Sequence, residues 1–181
     1  MKQALLIVDI QNDYFPGGKM ELVGSLEAGA EAARLLRAFR ERGAPVIHVQ
    51  HVSKRPGATF FLPDTEGAKI HESVTPLASE TVVTKHFPNG FRETTLLEIL
   101  RAAEIRRLVI AGMMTHMCID TTTRAAADLG FENVLAHDAC ATRDLGFGSA
   151  KVAAKDVQTA FIAALNGAFA KVLSAKEIAA A

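Results

Sequence analysis

The sequence predicts a three-layer α/β/α sandwich: a doubly wound, Rossmann-like fold on a six-stranded parallel sheet. Short continuous apolar runs of strand length alternate with segments of helical periodicity along most of the chain. Those runs lack the polar alternation of a half-exposed strand, as expected for strands covered by helices on both faces. Chemically active side chains follow directly after several of the runs, which is where open parallel sheets build their sites.

Ala4 to Val8 is aliphatic and ends at Asp9, which suits a central strand. A loop containing Pro16, Gly17 and Gly18 follows, and Ser25 is placed to cap a helix with Leu26, Ala30, Ala33 and Leu36 inward and Gly43 as its stop. Pro45 to Val49 is the second strand, completing a βαβ unit. The long connection from Val52 to Glu80 holds the adjacent Phe60 and Phe61 and is expected to be a lid or an interface loop. Thr81 to Thr84 is a short β-branched third strand ending at Lys85. A helix from about Thr95 has capping-box spacing with Glu98 and buries Leu96, Ile99, Leu100 and Ala103. Leu108 to Ala111 is strand four, followed by a helix from Cys118 to Leu129. Asn133 to His137 is strand five, closed by Asp138, which is expected to cap the turn that follows. A helix spans Ser149 to Asn166, with Val152, Ala153, Val157, Ala160, Phe161 and Ala164 inward. Ala170 to Leu173 forms strand six before a last short helix, and the whole of residues 1–181 is expected to be one domain.

Composition narrows the role. The chain has 181 residues, 49% of them hydrophobic, with 20 basic and 20 acidic side chains and a formal net charge of zero. A neutral chain without a basic block argues against nucleic acid or an anionic membrane as partner and leaves a small-molecule substrate. Two cysteines make no disulfide framework, no signal peptide is evident and no apolar run reaches the roughly 20 residues of a membrane span. The expected location is the cytoplasm.

The chemistry centres on LVIAGMMTHMCIDTTT, Leu108 to Thr123. Cys118 reads there as the opening of a helix, where unpaired N–H groups and the helix dipole favour a thiolate and could hold an oxyanion. A packed, inert thiol is the alternative for any single cysteine. Asp9 and Lys85 alter the balance, since all three residues fall at the carboxyl ends of parallel strands and can meet in one crevice. A carboxylate able to take a thiol proton, a cation beside both anions and a thiol form a nucleophile with its base and orienter. Cys140, after Asp138, is expected to be a packed thiol, and Arg124 a helix-surface charge.

The segments LLIVDIQNDY (Leu5 to Tyr14), TKHFPNGF (Thr84 to Phe91), GMMTHMCIDTTTRAAADLGF (Gly112 to Phe131) and HDAC (His137 to Cys140) resemble, in order and over nearly the whole chain, the isochorismatase-like cysteine hydrolase superfamily. That resemblance implies a catalytic triad of Asp9, Lys85 and Cys118. It also implies a non-proline cis peptide between Met113 and Met114, and an oxyanion hole from the N–H groups of Met114 and Cys118. The superfamily includes amidases and a vinyl-ether hydrolase that lacks the cysteine, so Cys118 favours attack on an acyl carbon. Members that bind a metal carry Asp-x-His after the second strand. Here the residues are Gln50, His51, Val52 and Ser53, so neither metal nor other cofactor is expected, and His51 and His71 read as solvated loop histidines.

The expected reaction is hydrolysis of a small amide-like C–N bond through a Cys118 thioester. Alternatives are the vinyl-ether activity, a catalytically silent Rossmann-like binding protein, and thiol redox chemistry, the last disfavoured by the lack of Cys-x-x-Cys. Gln11, Phe15, Phe60 and His116 are the expected substrate contacts, with Tyr14, Phe61, Phe87 and Phe91 as further walls. The resemblance implies a homodimer or homotetramer, with the Val52 to Glu80 loop as the expected cross-subunit contact.

Overall fold

The computed structural model describes all 181 residues. Its main sheet has six parallel strands: β1 (Gln3–Val8), β2 (Val46–His51), β3 (Thr81–Lys85), β4 (Arg107–Met113), β5 (Glu132–Ala141) and, after a hairpin described below, β8 (Lys171–Leu173). Their spatial order is β3-β2-β1-β4-β5-β8. The chain winds outward from β1 through β2 to β3, then returns to place β4 on the other side of β1. Strand order therefore reverses between β1 and β4, which makes that crevice the natural place for a site.

Two apolar cores flank the sheet. One holds the inward side of α1 (Ser25–Glu41) and α5 (Ala175–Ala180), packed on Leu5, Ile7, Val109 and Ala111. The other holds α2 (Leu96–Ala102), α3 (Asp120–Asp128) and α4 (Ala154–Leu165), packed on Leu6, Val8, Leu108 and Ile110. Successive residues of β1 and β4 thus feed opposite cores, and every residue of β1 from Ala4 onward is buried. No helix is long and apolar enough to cross a membrane.

Several local expectations are corrected. Gly24, in the left-handed region at φ 78°, is the N-cap of α1, and Ser25 is already helical and caps nothing. The buried stripe of α1 is Ser25, Ala28, Gly29, Ala32, Leu35, Leu36 and Phe39, whereas Leu26 and Ala30 face outward and Ala33 is half-buried. Alanine occupies both faces of this helix, so periodicity alone did not orient it. Thr95 makes no cap hydrogen bond; instead the Thr94 hydroxyl donates to the Gly90 carbonyl at 2.7 Å.

The expected helix from Ser149 begins later, because residues 145–152 form an antiparallel hairpin of β6 (Leu145–Phe147) and β7 (Ala150–Val152). Val152, Ala153, Ala160 and Ala164 are exposed. β5 runs four residues beyond His137, with an irregularity opposite Ile110 to Gly112 that pushes extra residues into the α1-side core. Asp138 therefore lies inside β5, and its Oδ1 accepts the Ala175 N–H at 2.7 Å, capping α5. Cys140 is buried, with its thiol pushed up to about 12 by burial. Arg124 pairs with Asp120 one turn earlier on the surface of α3 and stacks over Phe169.

Candidate active site

Four strand ends build the site. Gly112 of β4 pairs with Val8 of β1. It has φ 142°, and a Cβ there would lie 1.9 Å from the Val8 carbonyl oxygen, so only glycine lets the two strands close at the switch point. Asp9 comes next. Strict alternation would send it to the α1 side with Leu5 and Ile7, but its backbone turns into the left-handed region at φ 53°. That conformation costs a non-glycine residue about 1–3 kcal/mol. Lys85 is the last residue of β3, on the same side of the strand as Val83, and His51 is the last residue of β2, on the same side as Ile47 and Val49. Cys118 does not open its helix, as the sequence suggested. It lies in a π-helical turn, Thr115–Ile119, which runs straight into α3. The Met113–Met114 peptide leading into that turn is cis.

The three residues singled out from the sequence meet. The Lys85 Nζ lies 2.7 Å from the Asp9 Oδ2 and 3.2 Å from the Cys118 Sγ. Asp9 and Lys85 are 0% exposed and Cys118 is 5% exposed. A fourth partner was missed: His51 Nδ1 is 2.8 Å from the same ammonium. The sequence reading ended strand two at Val49; two more residues of strand would have put His51 at a carboxyl end, the same signal that marked Asp9 and Lys85. Asp9, His51 and Cys118 offer ligand-type atoms within 4.8 Å of one another, but the Lys85 ammonium already contacts all three.

The electrostatics follow from burial. Burial, and secondarily the Asp9 charge, raises the Cys118 thiol well above its ordinary value, so the sulfur rests as the thiol. Burial pulls Lys85 down, but Asp9 and Cys118 outweigh it and the ammonium is held above its usual value. Burial and then Lys85 push His51 down to about 4, so its ring is neutral. The Asp9 Oδ1 is buried without a hydrogen-bond partner, and Oδ2 meets Lys85 at contact distance without hydrogen-bond alignment. A carboxylate oxygen without a partner is free to accept a hydrogen bond.

Cys118 opens into a cavity of about 490 Å³. Tyr14, His51, Phe60, Phe61, Phe87, Met114 and Met117 are among its walls, with residues 53–61 of the long loop along one side. That loop is tied down. The Asp13 carboxylate accepts the Phe61 N–H at 2.7 Å and the Lys19 N–H at 3.1 Å, and the Ser53 N–H donates to the Phe61 carbonyl at 2.8 Å. Tyr14, Phe60 and Phe61 pack on each other with centroids 4.6–5.9 Å apart.

Three expected substrate contacts are elsewhere. Gln11 is fully buried with its amide saturated: Oε1 accepts the His51 N–H at 2.7 Å, and Nε2 donates to the His51 and Ala68 carbonyls at 2.9 and 2.7 Å. It clamps the end of β2 and does not line the cavity. Phe15 is stacked on His71, with centroids 3.5 Å apart, in the space that Gly29 leaves free. His71 is accordingly a packed ring that caps a short 3-10 turn through Nδ1, not a solvated one. His116 points away from the cavity, hydrogen-bonded to the Thr142 hydroxyl at 2.6 Å and set against Phe161. Phe91 stacks on Phe131 beside the second core. Phe60 alone of the four preferred contacts lines the cavity.

A family model described as the isochorismatase domain matches residues 3–177. The chain is 51% identical to the isochorismatase family protein YddQ of Bacillus subtilis over 95% of this chain and 96% of that one. It is 28% identical to a maleamate amidohydrolase of Pseudomonas putida over 78% of this chain and 73% of that one. A crystal structure of an isochorismatase hydrolase from Oleispira antarctica superposes with a TM-score of 0.96 at 51% identity, covering 99% of this chain and 97% of that one.

Proposed function

Because the chain belongs to the isochorismatase family of hydrolases, we propose that it cleaves a small amide-like C–N bond through a thioester on Cys118. One observation carries the reading: a buried ammonium touches both a carboxylate, whose other oxygen is bare, and a thiol that opens into a cavity large enough for a small molecule. The similarity to a maleamate amidohydrolase supports the amide bond as the target.

In this reading Asp9 takes the Cys118 proton as Sγ attacks the acyl carbon. The neighbouring Lys85 ammonium offsets the charge on sulfur and carboxylate in turn. The N–H groups of Met114 and Cys118 hold the tetrahedral oxygen. Asp9 returns its proton to the leaving nitrogen, the C–N bond breaks and the thioester remains. Water, deprotonated by Asp9, then attacks the thioester, and Cys118 leaves as the thiol. No redox partner is consumed.

The test is a panel of small amides and ureides, with isochorismate added, assayed on the wild type and on Cys118→Ala. Hydrolysis by the wild type that is lost in the variant supports the thioester. Turnover that survives without the thiol would instead assign an acid-catalysed reaction to Asp9. We propose further that the chain assembles as a homodimer or homotetramer in the cytoplasm. Phe147, 91% exposed at the tip of the β6–β7 hairpin, is an apolar side chain for such a contact. Sedimentation as a clean 19.4 kDa monomer at working concentration would remove the assembly.

A further inference from the structure

We infer that His51 is a specificity-determining residue: its imidazole is locked as a neutral donor whose Nε2–H points into the cavity, selecting substrates with a hydrogen-bond acceptor beside the scissile carbonyl. The inference rests on the thioester reading above and adds a substrate class to it.

Proton counting fixes the tautomer. A lysine ammonium has three N–H groups and no lone pair, so each of its contacts is one it donates. Lys85 meets Asp9, Cys118 and His51 Nδ1. Nδ1 is therefore an acceptor carrying no proton. The ring is neutral, because burial and the adjacent ammonium disfavour a second charge, so its single proton is on Nε2. The side-chain hydrogen bond that the ring makes within the chain is through Nδ1, and His51 is among the walls of the cavity that holds Cys118. The donor is also held still. Gln11 grips the His51 backbone at both N–H and carbonyl, and Lys85 grips the other side of the ring. A fixed, partly desolvated donor is satisfied by a substrate acceptor and left unpaired by an analogue without one, which is the arrangement that discriminates most strongly.

Distance limits where that acceptor can be. One ring nitrogen of His51 and the Cys118 Sγ are within 4.8 Å, and both nitrogens belong to one small ring, so the acceptor is expected on atoms close to the carbon that sulfur attacks. The class is a small acyl compound with a carboxylate, keto or ureido oxygen adjacent to the scissile carbonyl.

Two aldehydes test this without knowledge of the natural substrate: glyoxylate, which has a carboxylate on the carbonyl carbon, and acetaldehyde, which does not. In each, Cys118 Sγ bonds the aldehyde carbon and the carbonyl π pair moves to oxygen. The thiol proton passes through Asp9 to that oxygen, giving a reversible thiohemiacetal. Protection of Cys118 from iodoacetamide, followed by mass spectrometry, gives the affinity of each. His51→Asn keeps an acceptor for Lys85 at the position of Nδ1 but removes the cavity donor. His51→Gln places an amide N–H where Nε2–H was.

The wild-type preference for glyoxylate is expected to fall by about 10- to 100-fold in His51→Asn, the range of a hydrogen bond to a charged acceptor, and to recover in part in His51→Gln. The acetaldehyde affinity should fall less than the glyoxylate affinity in both, so that the ratio of the two reads the donor apart from any effect passed through Lys85. An unaltered preference in both variants overturns the inference and leaves the thioester reading standing. Failure of both aldehydes to protect wild-type Cys118 overturns the two readings together.

Discussion

Two charged clusters, one buried and one partly exposed, border the same strand, β2, on opposite faces, and the way each is satisfied separates reactivity from architecture. On the α1 face Glu80 accepts from Arg40 Nε at 2.7 Å and Nη2 at 2.8 Å, from the Leu77 N–H at 2.9 Å and from His48 Nε2 at 3.0 Å. Its carboxylate is fully paired, and the hydrogen bond from Arg40, set against burial and helped by Leu77 and His48, holds it down to about 2. The only orphan in that cluster is the neutral His48 Nδ1. On the other face, three residues along, Asp9 shares one ammonium with Cys118 and His51 and keeps a bare oxygen. Both histidines carry their proton on Nε2. His48 spends it on Glu80, while His51 presents it to the cavity. A saturated cluster pins the edge of the sheet; an unsaturated one is prepared to move a proton.

The comparison is broken most sharply at Cys118. Cys118→Ala should lower amide turnover by at least about 10⁴-fold, as when a nucleophile acting within a unit is lost, with thermal stability close to wild type. A steady-state assay beside a melting curve checks it. Asp9→Asn should lower turnover by about 10²- to 10⁴-fold, the usual worth of a general base. It should also move Cys118 alkylation to lower pH, because the Asp9 charge is one of the groups that raises the thiol. A profile that moves to higher pH would contradict the assigned electrostatics. Lys85→Met should move the same profile upward. It should also cost about 3–5 kcal/mol of stability by leaving Asp9 as an unpaired buried charge, measurable by urea denaturation.

The saturated cluster should answer in the opposite currency. Glu80→Gln is expected to lower stability by about 1–3 kcal/mol, the desolvation cost of donors left without their carboxylate, and to leave kcat within a few-fold. Loss of turnover without loss of stability would show that the two clusters are coupled. The smallest effect is in acid. Glu80 is held down to about 2 from 4.5, so its contribution is complete above pH 4.5 and is lost as pH falls toward 2. His51 is held down to about 4 from 6.5, so its part is complete above pH 6.5 and is lost as pH falls toward 4. Melting curves from pH 7 to 3 should show both steps in the wild type, a reduced lower step in Glu80→Gln and a reduced upper step in His51→Asn, where burial still holds His48, His71 and His116 down.

Legibility differed by residue for physical reasons. Asp9, Lys85 and Cys118 could be picked out because each follows an apolar run, and runs of that kind end at the same edge of a parallel sheet. His51 escaped because Gln50 and His51 look like loop, yet pairing with Thr84 and Lys85 keeps them in the strand. Gln11 and Phe15 were misassigned because proximity in sequence to Asp9 says nothing about direction. The left-handed turn at Asp9 and the chain beyond it carry Gln11 into a clamp on β2 and Phe15 under α1. The second half of the hairpin, from Ser149, was read as the start of a helix because its exposed side chains carry no burial pattern.

What the sequence determined by itself is the doubly wound sheet and the convergence of an aspartate, a lysine and a cysteine, since hydrophobic periodicity and strand ends are local properties of the chain. What only the tertiary structure decided is which polar groups are left unsatisfied. The bare oxygen of Asp9, the saturated carboxylate of Glu80 and the tautomer of His51 each depend on partners brought in from distant segments. Hydrogen-bond supply is settled only when those segments pack.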